Sequence, residues 1–109
     1  MNNYYHQTLA DGRWLELSAV EQMANIGSEV YRAIKWHNKG DRYLFEPAFE
    51  RALELFDLTL VDKRRRTGWK EIARVREFFC SLFFGKPQYN ITADYLNDYF
   101  LQFAIAARK

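Results

Sequence analysis

The sequence predicts an all-α fold, an antiparallel up-and-down four-helix bundle that fills residues 1–109 as a single domain. Three observations carry that expectation. Apolar residues recur at helical spacing in four segments. Each segment opens and closes on ordinary helix signals. Only five Gly and two Pro punctuate the 109 residues, too few for a sandwich or barrel of many short strands. A hydrophobic share of 49% excludes a disordered chain, and a charged share of 28% excludes a membrane core.

Residues 1–17 form an irregular N-terminal segment, with Trp14 and Leu15 expected to tuck against the bundle. The first helix opens at Ser18-Ala19-Val20-Glu21. That is a capping box, in which the hydroxyl and the carboxylate each satisfy a free backbone donor. It runs to about Trp36 and stops around Asn38-Lys39-Gly40. At about 100° per residue, Val20, Met23, Gly27, Val30 and Ile34 share its core face. Gln22, Asn25, Glu29, Arg32 and Trp36 fall on its polar face.

The second helix starts between Asp41 and Pro47, since proline is tolerated where the backbone N–H has no helical partner. It ends near Val61, with Phe49, Ala52, Leu53, Phe56 and Leu60 on its core face. The third follows Thr67, or opens a little earlier in the basic run, and stops at Gly85-Lys86-Pro87. Its core face holds Trp69, Ile72, Ala73, Phe79, Cys80 and Phe83. Arg76 falls inside that face and therefore needs a carboxylate or carbonyl partner. Thr92 caps the fourth helix, which carries Leu96, Phe100, Phe103 and Ala107 toward the core. Asn90-Ile91-Thr92 matches a glycosylation sequon and reads as part of this cap.

More apolar surface is present than four single stripes need. Leu55 and Leu58 lie off the core face of the second helix. Val75, Phe78 and Leu82 form a second stripe on the third, and Leu101 and Ile105 do so on the fourth. Aligned apolar residues of this kind mark a partner surface, most economically a second copy of the chain. Trp36 on a polar face adds a contact residue. The competing expectation is a broad core covered by residues 1–17. The aromatic share of 17% divides the same way: most rings have a core to fill, while Phe78 and Trp36 point to a homo-oligomer.

Net charge is only +2, yet Lys63-Arg64-Arg65-Arg66 is a concentrated basic run. Lys70 and Arg74 continue it on the third helix, and an antiparallel bundle brings Arg108 and Lys109 to the same end. Such a cluster suits RNA or another polyanion. Glu46, Glu50, Glu54 and Asp57 offer the opposing expectation. Asp57 and Glu54 would meet Arg66 and Lys70 in an ion-pair seam, leaving Lys63 to Arg66 largely free in the turn.

Catalytic chemistry is thinly represented. No P-loop, GxGxxG or HExxH pattern occurs. His6, His37 and Cys80 lack metal-ligand spacing, so no metal, no cofactor and no small-molecule substrate are expected. Cys80 sits among apolar residues and reads as an inert thiol. One cysteine allows no intrachain disulfide, which suits a reducing cytoplasm. No secretory pattern is visible near Met1, and no apolar run reaches the length of a membrane span.

Arg32-Ala33-Ile34-Lys35-Trp36-His37 resembles the R-x4-H motif of HEPN domains, small helical bundles that often dimerise and cleave RNA. The resemblance implies that Arg32 and His37 act on a scissile phosphate at a dimer interface. On a continuing helix these side chains lie about 140° apart around the axis. They converge only if the helix ends before His37. The organisation as a whole, with four helices, a basic turn and surplus apolar stripes, is similar to that of small four-helix-bundle accessory proteins. Ribosomal-RNA intervening-sequence proteins and the accessory protein of diversity-generating retroelements are of this kind. That resemblance implies a non-enzymatic, oligomeric module.

Overall fold

Ser18 caps the first helix as its sequence requires. Its hydroxyl accepts the Glu21 N–H at 3.1 Å, and the Glu21 carboxylate accepts the Ser18 N–H at 2.9 Å. These positions come from a computed structural model, which describes residues 12–84 and 92–108. Among the described residues every regular element is helical. The four long helices are α1 (Ala19–Asn38), α2 (Arg42–Leu60), α3 (Trp69–Ser81) and α4 (Ala93–Ala107). Two 3-10 turns, Arg13–Glu16 and Lys63–Arg65, precede α1 and α3.

Helix ends explain the path of the chain. α1 closes with Gly40 at φ +70°, where the Gly40 and Asp41 N–H groups donate to the His37 and Trp36 carbonyls, each at 3.0 Å. This pairing satisfies two orphan carbonyls, and the left-handed step favours glycine. Asp41 then caps α2 by accepting the Leu44 N–H at 3.0 Å. α2 thus starts at the early limit of its expected range, and Pro47 lies in its second turn rather than its first. The proline withholds one donor from the Tyr43 carbonyl, and Tyr43 is among the most exposed residues. Thr92 caps α4 by accepting the Tyr95 N–H at 3.1 Å.

α3 follows Thr67, as expected, with Gly68 at its N-cap position and no side-chain cap. Its expected end is corrected: it stops at Ser81, short of Gly85. Leu82 to Phe84 curl in tighter turns, with N–H donors reaching the Phe79 and Cys80 carbonyls. This curl carries Phe83 into ring contact with Phe45, Phe49, Phe79 and His37. Gly85-Lys86-Pro87, Asn90 and Ile91 lie outside the described residues.

α1 packs against α2 and α4, and α2 packs against α3. As the chain advances along α1 its partners retreat from the turn after α2 into that helix: Gln22 meets Asp62, and Glu29 meets Arg51. Likewise Phe49 meets Phe83 while Asp57 meets Arg76. The core between these helices is formed by Ile26, Val30, Ala48, Ala52, Phe56, Phe79, Leu96 and Phe100. Gly27 is where α4 touches α1. A Cβ added there would sit 2.6 Å from the Phe100 Cβ, so only glycine admits this approach.

Trp14 is buried, as expected, whereas Leu15 is exposed. Residues 1–11 lie outside the described residues. On α1 the polar-face assignment fails for Gln22 and Glu29, both buried. α1 has neighbours on two sides, so its buried arc is wider than one stripe, and these polar side chains enter it already paired. Trp69, assigned to the core, is instead about half exposed at the start of α3.

Candidate interaction surfaces

The basic turn is anchored from within. The Asp62 carboxylate, almost fully buried, accepts the Arg64 Nη2 at 2.7 Å, the Arg64 backbone N–H at 3.0 Å and the Gln22 amide at 3.0 Å. The Arg64 Nη2 also donates to the Leu17 carbonyl at 2.7 Å. Gln22 donates its amide N–H to the Trp14 carbonyl at 2.9 Å, and its oxygen accepts from the Arg65 Nε at 2.8 Å. The Trp14 indole N–H donates to the Thr59 hydroxyl at 2.8 Å, which in turn donates to the Leu55 carbonyl at 2.8 Å. Hydrogen bonds from Arg64, reinforced by the Gln22 amide, hold the Asp62 carboxyl far below the ordinary carboxylate range against the opposing effect of burial. The same pairing raises the Arg64 guanidinium further.

The expectation that Lys63 to Arg66 stand free is therefore half corrected. Arg64 and Arg65 serve the fold, because a buried Asp and a buried Gln need donors. Lys63, Arg66, Lys70, Arg74 and Arg108 are exposed. None of these five has a carboxylate partner among the described residues. Lys109 lies outside them. The expected seam of Asp57 with Arg66 does not form. Asp57 accepts from the Arg76 Nε at 3.0 Å, which supplies the partner that Arg76 requires.

The surplus apolar residues also divide. Leu55 and Val75 are buried, only 2% and 6% exposed. Leu58, Phe78 and Leu82 are partly buried against the same core. The correction for α2 has a simple cause: α2 lies between α1 and α3 and so buries two arcs. Val75 belongs to one continuous cluster with Ile72 and Phe79. Leu101 and Ile105 lie off the core, 54% and 50% exposed and one helical turn apart on α4.

Trp36 is half-buried rather than fully exposed. The Lys35 and Lys39 ammonium groups lie 4.9 Å and 5.5 Å from its ring centroid. On one side it borders a groove of about 440 Å³ between α1 and α4, lined also by Tyr31, Arg32, Lys35, Asn97 and Leu101. On the other it borders a hollow of about 290 Å³ with His37, Arg42, Phe45 and Phe83.

Arg32 and His37 do not converge within the chain, because α1 continues through Asn38. Arg32 donates to the Glu29 carboxylate at 2.8 Å, whose other oxygen accepts from the Arg51 Nε at 2.9 Å. The His37 ring instead lies 4.8 Å from Phe83 and 5.4 Å from Phe45 by centroid. Cys80 is half-buried, and burial pushes its thiol above its ordinary value, which suppresses the thiolate. No described helix is long and apolar enough to cross a membrane. Among the described residues, four helices carry an internally braced basic end and an apolar strip on the last of them. No family model, no curated protein and no solved structure matches the chain.

Proposed function

We propose that the chain is an antiparallel up-and-down bundle acting as a non-enzymatic, self-associating interaction module. The observation that carries this reading is the pair Leu101 and Ile105, aligned on the outer face of α4 and each about half exposed. Burying two such side chains against a symmetry mate removes apolar surface from water at no cost to the monomer core. A single cysteine, with no intrachain disulfide to form, suits a reducing compartment.

The test is a double substitution, Leu101→Lys with Ile105→Lys. Chemical cross-linking captures oligomers of the parent chain. The reading expects the double variant to remain fully helical by circular dichroism and to lose the cross-linked species. Unchanged cross-linking would contradict it.

A second reading has its own support. Lys63, Arg66, Lys70 and Arg108 carry positive charge with no described carboxylate partner. Gln22 ties the 62–66 turn to the start of α1. Ala24 and Ala104 line one groove, so α4 ends on the same side. This end contacts a polyanion such as RNA. Four phosphate contacts on a single strand give a salt slope of about −3. Lys63→Gln with Arg66→Gln would halve that slope, and an unchanged slope would exclude this end as the contact.

A further inference from the structure

We propose that the groove between α1 and α4 binds a single-stranded nucleic acid, with a base on the Tyr31 ring and the neighbouring phosphates on Arg32, Lys35 and Lys39. Its cations lie in the second half of α1 and at its C-terminal end, whereas the basic turn is tied through Gln22 to the start of that helix. The groove shares Leu101 with the self-association strip of α4, while Ile105 does not line it.

Three features of the groove lead there. First, the row Tyr31, Lys35, Lys39 advances four residues at a time. One edge of α1 therefore presents an aromatic face followed by two cations, about 6 Å apart along the axis. Tyr31 is 57% exposed, which leaves its ring available for stacking. Second, the cations keep their charge. The Lys35 and Lys39 ammonium groups are steered by the Trp36 ring rather than by a carboxylate, and a π face orients an ammonium without neutralising it. Arg32 shares the Glu29 carboxylate with Arg51, so that trio retains a net positive charge. Third, among the described residues no carboxylate lines the groove or the adjoining hollow of about 280 Å³ that reaches Asn38 and Lys39.

Cations at a helix C-terminus also complement the helix dipole. A dipole end does not account for an exposed Tyr in line with them, nor for a groove walled by Asn97 and Leu101 on the other side. Aromatic rings combined with unneutralised cations along a groove match the way single strands are held without sequence preference. A duplex, with its bases stacked inside, offers Tyr31 nothing to stack on.

The experiment is fluorescence anisotropy with a labelled mixed-sequence 12-nucleotide RNA, its DNA counterpart, and inorganic polyphosphate as competitor. Lys35→Gln with Lys39→Gln removes two of the three groove phosphate contacts and is expected to make the log–log salt slope on a single strand shallower by about 1.4. Tyr31→Ala is expected to weaken binding roughly tenfold, whereas Tyr31→Phe retains it. Lys63→Gln with Arg66→Gln leaves that Tyr31 effect in place. The relative affinities of the RNA and DNA strands tell which sugar the groove accepts. The proposal is overturned if neither strand binds, if Tyr31→Ala matches the parent chain, or if polyphosphate binds as tightly per phosphate as the strands. Circular dichroism checks that each variant is folded. Light scattering on the same samples reports self-association, so a parent chain that self-associates but binds neither strand removes the groove proposal alone.

Discussion

Arg64 closes on Asp62 through its Nη2 at 2.7 Å and its backbone N–H at 3.0 Å, so the basic turn is held by its own acid. The pair decides which charges of the run are available outside. It also makes the two kinds of basic residue separable by experiment. Asp62→Asn leaves Arg64 and its neighbours facing a neutral group, and hydrogen bonds to charged groups contribute about 1.5–3 kcal/mol. We expect a loss of about 2 kcal/mol and a fall in Tm of about 8 °C by thermal denaturation. Lys63→Gln and Arg66→Gln should stay within about 0.5 kcal/mol of the parent chain. Equal losses at all three positions would contradict the division.

The same carboxylate sets an acid limit. Its folded-state pKa is depressed, chiefly by Arg64, while the unfolded chain titrates near about 4. The unfolded state therefore takes up the proton first as pH falls. The contribution is fully present above about pH 4 and is lost progressively below it. Urea midpoints of the parent chain and Asp62→Asn should differ by a constant amount from pH 7 to pH 5 and converge below about pH 4. A gap that persists undiminished to pH 2 would refute the assignment.

Gly27 and Gly68 make a controlled pair. Alanine at either position gains helix propensity or loses unfolded-state entropy, worth up to about 1 kcal/mol. At Gly27 the new Cβ meets the Phe100 Cβ at 2.6 Å and its Cγ at 3.0 Å, while at Gly68 nothing lies within 4 Å. Forced overlap in a packed seam costs about 1–3 kcal/mol. Gly27→Ala should be net destabilised and Gly68→Ala neutral or slightly stabilised in chemical denaturation. A Gly27→Ala chain as stable as Gly68→Ala would show that α4 is not seated on α1 as described.

Tyr99 carries a buried hydroxyl that makes no well-formed hydrogen bond among the described residues and lies close to the Glu71 carboxylate. Burial, then the Glu71 charge and its pull on the phenolic proton, push its ionisation up to about 12. Tyr99→Phe removes a poorly satisfied group and should change stability by no more than about 1 kcal/mol. The raised value also predicts alkaline sensitivity. Unfolded tyrosine ionises near about 10, so this contribution is intact below pH 10 and is lost as pH rises toward 12. Tyr99→Phe should be less sensitive across that interval, and an identical alkaline profile would rule out Tyr99 as its source.

Helices were the most legible part of the sequence, because capping is local. Ser18 with Glu21 and Thr92 with Tyr95 act within one turn, and Gly40 needs only its own backbone freedom. The ends of α3 were less legible, because the curl at Leu82 to Phe84 is set by rings on α1 and α2. Periodicity also misplaced Gln22 and Glu29, which are polar by type and buried by position. Their partners Asp62 and Arg51 lie 40 and 22 residues away, so no local pattern announces them. Leu55 and Val75 were misread for the converse reason: a single-stripe template underestimates a helix with neighbours on two sides. Among the site residues, exposure of Leu101 and Ile105 followed from spacing alone. The internal use of Arg64 and Arg65 did not, although the acid at Asp62 directly before a basic run was the available signal. Tyr31 carried no signal of its own, since its meaning depends on Lys35, Lys39 and the groove wall on α4.

Self-association through the outer face of α4 is the central claim, and sedimentation equilibrium of the unmodified chain addresses it most directly. The chain mass is 13.1 kDa. The account predicts a mass that is an integer multiple of this value at micromolar concentration and that returns to the single-chain mass in Leu101→Lys with Ile105→Lys. A strict 13.1 kDa species across the whole concentration range would contradict it.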